Sequence, residues 1–506
     1  MLPYVKEIFD PIYGFIKLTR NEINVVDNLI FQRLHNINQL GTLHMVFPTA
    51  RNTRFSHSLG VLAITSRIID NLKRLPNQES KVVEKYEMPP NDQKLIRMAA
   101  LLHDIGHLPF SHCTERVIRD YLREKYPQLD INDEFHEWLG GEIIKKTDIY
   151  SPEDKDLEEI LQDRSDISQI IQGSSKFYLC NQILNSELDA DRLDYLLRDS
   201  YSIGVSFGQV DLAQILRKMF VEDREYERRP LSDKIIVYST SAINAIDNYY
   251  FARMFMYNTV YYHKTSCYFD DLLSKAYHII INSENEDLEE LEGLLPLRPD
   301  EILAPILEGG LLDREECKDF FNKWHGFDDH YLWNSLRRCW QRLKKIPNDD
   351  LNQKLQVLKK ILTLLYKRKR SELVWERNFL KNEIEKTRAH SDTPSESLVQ
   401  VFKDLEKWIK NELSQHTDAP LLIVLNHRIP APLSNIKNED PEELKDYIGK
   451  YTLFYNSEEE KFHYLHNVKS SINYRLNKTG FHIFRVFCPE RELKEELNNK
   501  IGTKYN

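Results

Sequence analysis

Apolar residues recur along most of this chain at the spacing of helices rather than strands. From Asn21 to Leu40 they stand at Ile23, Val26, Ile30, Leu34 and Ile37, close to a 3.6-residue repeat, and predict one helix. Thr53 opens a long helix expected to run to Ile69, and Asp92 opens another whose apolar end, Met98 to Leu102, marks it as buried. Helices are expected over Glu115–Tyr126, Asp133–Lys146 and 152–171, and Leu179–Asp199 leads into one more. Ala242 to Ile281, rich in Tyr and Phe, reads as one long helix or two. Strand patterning is confined. Residues 1–20 alternate apolar and polar around Pro11 and Gly14 and predict a short β element, and Leu43–Pro48 reads as extended. Residues 75–91, with Pro76, Pro89 and Pro90, predict a loop.

After Asn282 the character changes. The acidic stretch 283–294 marks the edge of the core, 297–416 continues as helix, and 389–397 is a polar loop. Pro420–Leu425 and Phe481–Phe487 read as strands. The pattern as a whole predicts a mainly α protein with a small N-terminal β element and a helical, then α+β, C-terminal accessory region. The boundaries fall at 1–285, 286–416 and 417–506. No internal repeat is visible.

Composition narrows the picture in three places. With 506 residues, 41% hydrophobic and 29% charged, the chain has room for two or three domains around a large core. A net charge of −10 gives no overall basic footprint for nucleic acid, so an anionic ligand needs a local cationic pocket. The basic run Lys367-Arg368-Lys369-Arg370 reads as a solvated helix face, or as a contact to nucleic acid or to a neighbouring subunit's phosphate ligand. The six Cys are scattered without a CxxC pair, which fits reduced thiols. No signal peptide and no long apolar run are visible, so the expected location is cytoplasmic, with no membrane partner.

The chemistry concentrates at Leu101-Leu102-His103-Asp104-Ile105-Gly106-His107-Leu108-Pro109-Phe110-Ser111-His112. The apolar run delivers His103 and Asp104 at the end of a buried helix, and Gly106 and Pro109 are expected to stop it. Adjacent His and Asp do not share a helix face, so both reach one metal only where a helix ends. Imidazole and carboxylate bind zinc, manganese or iron, and a carboxylate can bridge to a harder ion. Partners must come from elsewhere. His57 stands upstream in Arg54-Phe55-Ser56-His57-Ser58-Leu59-Gly60-Val61, and Asp189 and Asp191 stand downstream. Arg54 precedes His57 by one helical turn, which places its guanidinium beside that site.

The ordered blocks Phe9–Leu18, Phe31–Gly41, Val46–Val61, the HDIGHLPFSH stretch, Glu187–Ser200 and, more loosely, Arg253–Lys264 resemble the HD-domain metal-dependent phosphohydrolases. Within them the chain is most similar to the deoxynucleoside triphosphate triphosphohydrolases, including the animal antiviral dNTPase and its bacterial relatives. The resemblance covers roughly the first 280 residues. It implies an HD-domain helical catalytic core that hydrolyses dNTPs to deoxynucleoside and inorganic triphosphate. Housekeeping pool control and antiviral defence are both compatible with it.

The resemblance assigns the residues as follows. His57, His103, Asp104 and Asp191 hold a divalent ion (Fe, Mn or Zn), with a second ion such as Mg allowed; Asp189 competes with Asp191 and reads otherwise as a cap. A metal-activated water attacks the α-phosphorus. His112 is the general acid, Glu115 its orienting carboxylate where the family has Asp, and His107 and His136 contact the phosphates. Arg54, Arg192 and Arg253 face the triphosphate. Gln39, Leu40 and Tyr261 pack on the deoxyribose, Asp199 accepts its 3′-hydroxyl and Tyr195 touches the sugar–phosphate. Tyr262 departs from the Gln typical of the animal enzyme. Lys6, Asp27 and Gln32 match a regulatory nucleotide pocket, with His35 in place of an Arg and with Glu7 and Phe9 also departing. A homo-oligomer (dimer, tetramer or larger) is expected, with Arg33 at its interface. Two other readings stay open: an HD phosphohydrolase for another nucleotide (5′-, cyclic or signalling), and a non-catalytic module binding nucleotide or nucleic acid.

Overall fold

The N-terminal hairpin, β1 (Tyr4–Asp10) and β2 (Gly14–Thr19), is antiparallel and sets Phe9 opposite Phe15. Its turn is fixed by the Asp10 carboxylate, which accepts the Ile12 and Tyr13 amides, and by Gly14 at φ +77°. Thr19 and Glu22 form a capping box that opens α1 (Arg20–Val26). The single helix expected over Asn21–Leu40 is not formed. Asn28 takes the Ile30 amide on its side chain and starts a new turn, α2 (Leu29–Gln32), followed by a 3-10 turn at Arg33–Asn36. Leu43–Met45 is likewise a 3-10 turn rather than extended, because the amides of 43, 45 and 46 close back on Leu40, Thr42 and Leu43.

The computed structural model describes residues 3–73, 86–222, 234–370, 372–380, 423–429, 452–456, 461–464 and 481–488, with single positions at 407, 411 and 471. The chain divides into two units, each discontinuous in sequence. The first holds Met1–Arg253, Leu297–Leu332 and Asn435–Tyr474; the second holds Met254–Pro296, Trp333–Ser434 and Arg475–Asn506.

In the first unit, α3 (Arg54–Leu72) starts where Thr53 caps the Ser56 amide, and it is buried along most of its length. It packs on α4 (Pro90–Leu102), which begins with Pro at its first turn, two residues before the expected Asp92. Next come α5 (His112–Lys125), α6 (Phe135–Lys146), α7 (Leu157–Ile171) and α8 (Tyr178–Leu184). Then α9 (Ala190–Ile203) also packs on α3. Asp189 is the N-cap of α9, and Gly204 at φ +81° ends it. A sheet in the order Met219–Glu222, Ile235–Ser239, Leu453–Asn456, Lys461–Tyr464 and the helices Pro299–Glu308 and Arg314–Gly326 also belong to this unit.

The Ala242–Ile281 run resolves into two helices, Ile243–Met256 and Lys264–Ile281, separated by a π-helical turn at Tyr257–Tyr261. In the second unit, Lys264–Ile281 packs on Gln353–Tyr366. Helix was expected to continue to 416, but Glu372–Leu380 is a strand. It pairs antiparallel with Phe481–Cys488, which also pairs with Ile423–Ile429. The partner lies a hundred residues away, so no local pattern announces it. Lys367–Arg370 is exposed, but it follows its helix rather than lying on it: the helix ends at Tyr366 and Arg368 takes φ +51°. The loop expected at 389–397 lies outside the described residues. The fold is mainly α, and no described helix is long and apolar enough to cross a membrane. Cys113, Cys180, Cys267, Cys317 and Cys339 are free thiols.

Candidate metal centre

Helix α4 ends at Leu102, and His103 and Asp104 occupy the turn beyond it. Gly106 is needed there for space rather than for a stop signal. A Cβ at 106 would overlap the His136 carbonyl and the Gly140 amide, so its absence lets α6 approach the turn. His57, on the first turn of α3, brings its Nε2 to 3.3 Å from His103 Nε2. Asp191, on the first turn of α9, places Oδ1 2.9 Å from His57 Nε2 and 4.0 Å from His103 Nε2. Asp104 places Oδ1 3.3 Å from His103 Nε2 and Oδ2 3.8 Å from His57 Nε2. The four residues named as ligands thus converge from three separate elements.

The other side of each ring decides what these atoms can bind. His57 Nδ1 donates to Asp194 Oδ2 at 2.7 Å, and His103 Nδ1 donates to the Ala100 carbonyl at 2.9 Å. When each ring carries one proton it sits on Nδ1, so both Nε2 lone pairs face the two carboxylates. His57, His103 and Asp191 then bring one ligand atom each within 4.8 Å of one another, and Asp104 lies alongside, a donor set that suits a divalent transition metal. Burial works against charge on His57, yet Asp191, Asp194 and Asp104 raise its pKa to about 10, a measure of how much negative charge the site focuses. Burial also opposes charge on Asp104, but Arg54, His103 and His107 hold it well below the usual carboxylate range. Asp191 is depressed as well, its burial outweighed by the hydrogen bond and charge of His57.

Asp194 was not among the residues singled out in the sequence. It is fully buried and holds His57 on one side and the Arg198 guanidinium on the other, at 2.9 and 3.1 Å. Arg198 in turn reaches Asp10 at 2.9 Å, which ties the N-terminal turn to the His57 ring. A Cβ at Gly60 would overlap Asp194 and Arg198. The signal available was position: Asp194 and Arg198 lie three and seven residues after Asp191, on one side of α9.

Arg54 is buried beside the centre, as expected, and is engaged within the protein. Its Nη1 donates to Asp104 Oδ2 at 2.8 Å and its Nε to Ser111 Oγ at 2.7 Å. The second group gathers around Glu115. Oε2 accepts His112 Nδ1 at 2.6 Å, and Oε1 accepts His136 Nδ1 at 2.7 Å and the His136 amide at 3.0 Å. Burial would raise Glu115, but the hydrogen bonds and charges of His112 and His136 hold it far below the usual range. Burial lowers His136, and Glu115 more than reverses this. His107 stacks on His136 with centroids 4.0 Å apart and places Nε2 3.2 Å from Asp104 Oδ1. Burial, with Arg54 and His136 nearby, lowers its pKa well below the ordinary value, so it is neutral. The two groups therefore adjoin through Asp104. The His112 side chain is 67% exposed and is the member open to a ligand.

Asp191, Tyr195 and Asp199 recur every four residues along α9 and so share a face. Asp199 Oδ1 accepts Asn52 Nδ2 at 2.7 Å, and the Asn52 carbonyl accepts the Gln39 amide at 3.0 Å, so Gln39 and Asp199 are joined through Asn52. Leu40, next to Gln39, is half-buried. Arg192 pairs with Asp189 and the Ser186 carbonyl. Burial raises Asp189 to about 7 and Glu187 to about 7, and the charges of Arg192 and Arg253 oppose both shifts. Tyr261 belongs to the second unit, edge-on to Tyr257 at 5.0 Å. Lys6 and Asp27 pair at 3.8 Å on the surface, and Gln32 Nε2 donates to the Val26 carbonyl at 2.7 Å. Arg33, expected at a subunit interface, is instead fully buried, its guanidinium drawn inward by the carbonyls of His107 and Phe327.

Residues 54–199 match the HD domain model, and residues 210–294 match that of the HD associated region. The chain therefore carries an HD domain followed by an HD associated region. An uncharacterized protein of Methanocaldococcus jannaschii is 32% identical over 317 residues, which are 63% of this chain and 59% of that protein. The chain thus spans less than two thirds of that relative's length. The deoxynucleoside triphosphate triphosphohydrolase SAMHD1 homolog of Dictyostelium discoideum is 28% identical, over 57% of this chain and 53% of that protein. A crystal structure of a phosphohydrolase from Bacteroides thetaiotaomicron is similar in fold. Its TM-score is 0.59 over 96% of this chain and 99% of that one, at 21% identity.

Proposed function

We propose that this chain is a metal-dependent phosphohydrolase that cleaves deoxynucleoside triphosphates to deoxynucleoside and inorganic triphosphate. The observation that carries the reading is the convergence of His57, His103, Asp104 and Asp191 beside a carboxylate-held histidine pair. The name of the Dictyostelium relative supports the substrate. His57, His103, Asp104 and Asp191 would hold a divalent ion, which would supply Lewis acidity toward a phosphoryl oxygen.

The chain's own groups do the rest. Water adds to the α-phosphorus, the bond from that phosphorus to the 5′ oxygen breaks, and the leaving oxygen needs a proton. His112 is built to deliver it: Glu115 fixes Nδ1, so Nε2 is the end that gives the proton up. Glu115 also favours the protonated form of His136, the ring set against phosphate oxygens in this reading, while neutral His107 contributes a hydrogen bond. Arg54, Arg192 and Arg253 supply the surrounding positive charge. Gln39, Leu40, Tyr195 and Asp199 are the residues assigned to the sugar in this reading, and Tyr261 is carried with them. Regulation through Lys6, Asp27 and Gln32, and a homo-oligomer, belong to the same proposal.

The test is to incubate the protein with each dNTP and NTP over Mn, Fe, Zn and Mg and to resolve the products. The expected result is triphosphate plus deoxynucleoside, from dNTPs only and only with metal. Pyrophosphate plus monophosphate, or turnover of a cyclic or signalling nucleotide instead, would overturn the proposal.

A further inference from the structure

The turn that joins Asp104 to His112 is held by residues far from it in sequence. Phe110 has φ +60° and Ser111 has φ +52° with ψ −126°, and neither is glycine. Such a pair does not persist on local preference; something must fix it. Asp329 supplies the contact. Its Oδ1 accepts the Phe110 amide at 2.6 Å, and its Oδ2 accepts the backbone amide and side-chain amide of Asn38 at 2.9 and 2.7 Å. Arg33 holds the start of the same turn: Nη1 donates to the His107 carbonyl and Nε to the Phe327 carbonyl, both at 2.7 Å. Its guanidinium lies 4.1 Å over the Trp324 ring. Arg33, Trp324, Phe327 and Asp329 are all buried.

A carbonyl and an amide that a continuing helix would have satisfied are thus taken by a buried cation and a buried carboxylate. The hold continues inward. Ser111 Oγ donates to the Asn38 carbonyl at 3.1 Å and accepts Arg54 Nε, and Arg54 holds Asp104. Asp329 therefore connects through Asn38, Ser111 and Arg54 to one side of the candidate centre, and through Phe110 to the residue that starts α5, His112. Both Arg33 and Asp329 lie outside the stretches matched by the HD domain and the HD associated region.

We propose that Asp329, supported by Arg33, is a positioning residue for the reaction. It fixes the Phe110–Ser111 turn and so sets where His112 stands relative to Asp104. The catalytic part of this rests on the function proposed above; the hold on the turn does not.

Asp329→Asn tests it. The variant keeps the shape but turns an NH2 toward one of three N–H donors. Backbone amide exchange is followed over 103–115 in the full chain, alongside bound metal per chain, kcat and KM for a dNTP. The expected result is exchange over 107–112 faster by roughly tenfold or more, as for loss of a hydrogen bond to a charged group. Metal content stays unchanged, kcat falls roughly a hundredfold from misplacement, and KM stays nearly constant. Unchanged exchange over 107–112, or a loss of kcat that only follows loss of metal, would overturn the proposal. If Asp329→Asn does not fold, the wild-type Phe110 amide decides: protection supports the hold, and exchange as fast as an open loop overturns it. If the wild-type protein turns over no dNTP, the functional reading fails, while the exchange measurement still decides whether Asp329 holds the turn.

Discussion

Asp104→Ala is expected to abolish hydrolysis, remove the bound metal and destabilise the fold together. Among the described residues no other carboxylate serves so many partners at the centre. Oδ1 faces His103 and His107, Oδ2 faces Arg54 and, farther off, His57, and the residue is 2% exposed. Removing it leaves Arg54 buried with only the Ser111 hydroxyl, and breaking a buried pair from one side costs about 3–5 kcal/mol. Asp104→Asn should cost less in stability and still lose the metal, because an amide nitrogen turned toward an imidazole lone pair cannot share a cation with it. Elemental analysis, chemical denaturation and turnover on the two variants check this. A wild-type metal content in Asp104→Ala would remove Asp104 from the ligand set.

Glu115→Gln is expected to lower turnover by about 10²–10⁴-fold, the range that a positioned general acid contributes. The same variant predicts a pH-dependent loss of stability. Glu115 is depressed below its unfolded value of about 4.3, so its contribution is complete above that pH and is lost as pH falls through the folded value. His136 is raised above about 6.5, so its contribution is complete below that pH and is lost as pH rises through the folded value. Both are complete only between roughly pH 4.5 and 6.5. The stability gap between wild type and Glu115→Gln should be widest there and should shrink toward alkaline pH. Denaturant titrations at several pH values measure it; a gap independent of pH would contradict the pairing of Glu115 with His136.

What could be read from the sequence follows the range over which each feature is determined. The HD stretch is local: an apolar helix, an adjacent His–Asp at its end, and histidines on the next turn. Its association with His57 and Asp191 was carried by the resemblance of the ordered blocks, and in the structure each of those stands at a capped helix start, after Thr53 and Asp189. The break at Asn28 was missed because a capping asparagine outweighed a continuous apolar repeat. The strand Glu372–Leu380 was missed because its partner lies near residue 485. Asp194 and Asp329 are ordinary acidic residues in sequence. Only packing shows that one holds the His57 ring and the other the turn before His112. Gly60 and Gly106 were legible as glycines but not as close approaches, since the neighbours they admit come from α9 and α6.

Whether the four side chains share one cation is tested most directly by anomalous diffraction from crystals grown with manganese. One strong peak is expected within coordination distance, roughly 2.0–2.3 Å, of His57 Nε2, His103 Nε2 and carboxylate oxygens of Asp104 and Asp191. A peak seated instead among His107, His112 and His136, or no peak at a protein that still hydrolyses its substrate, would contradict it.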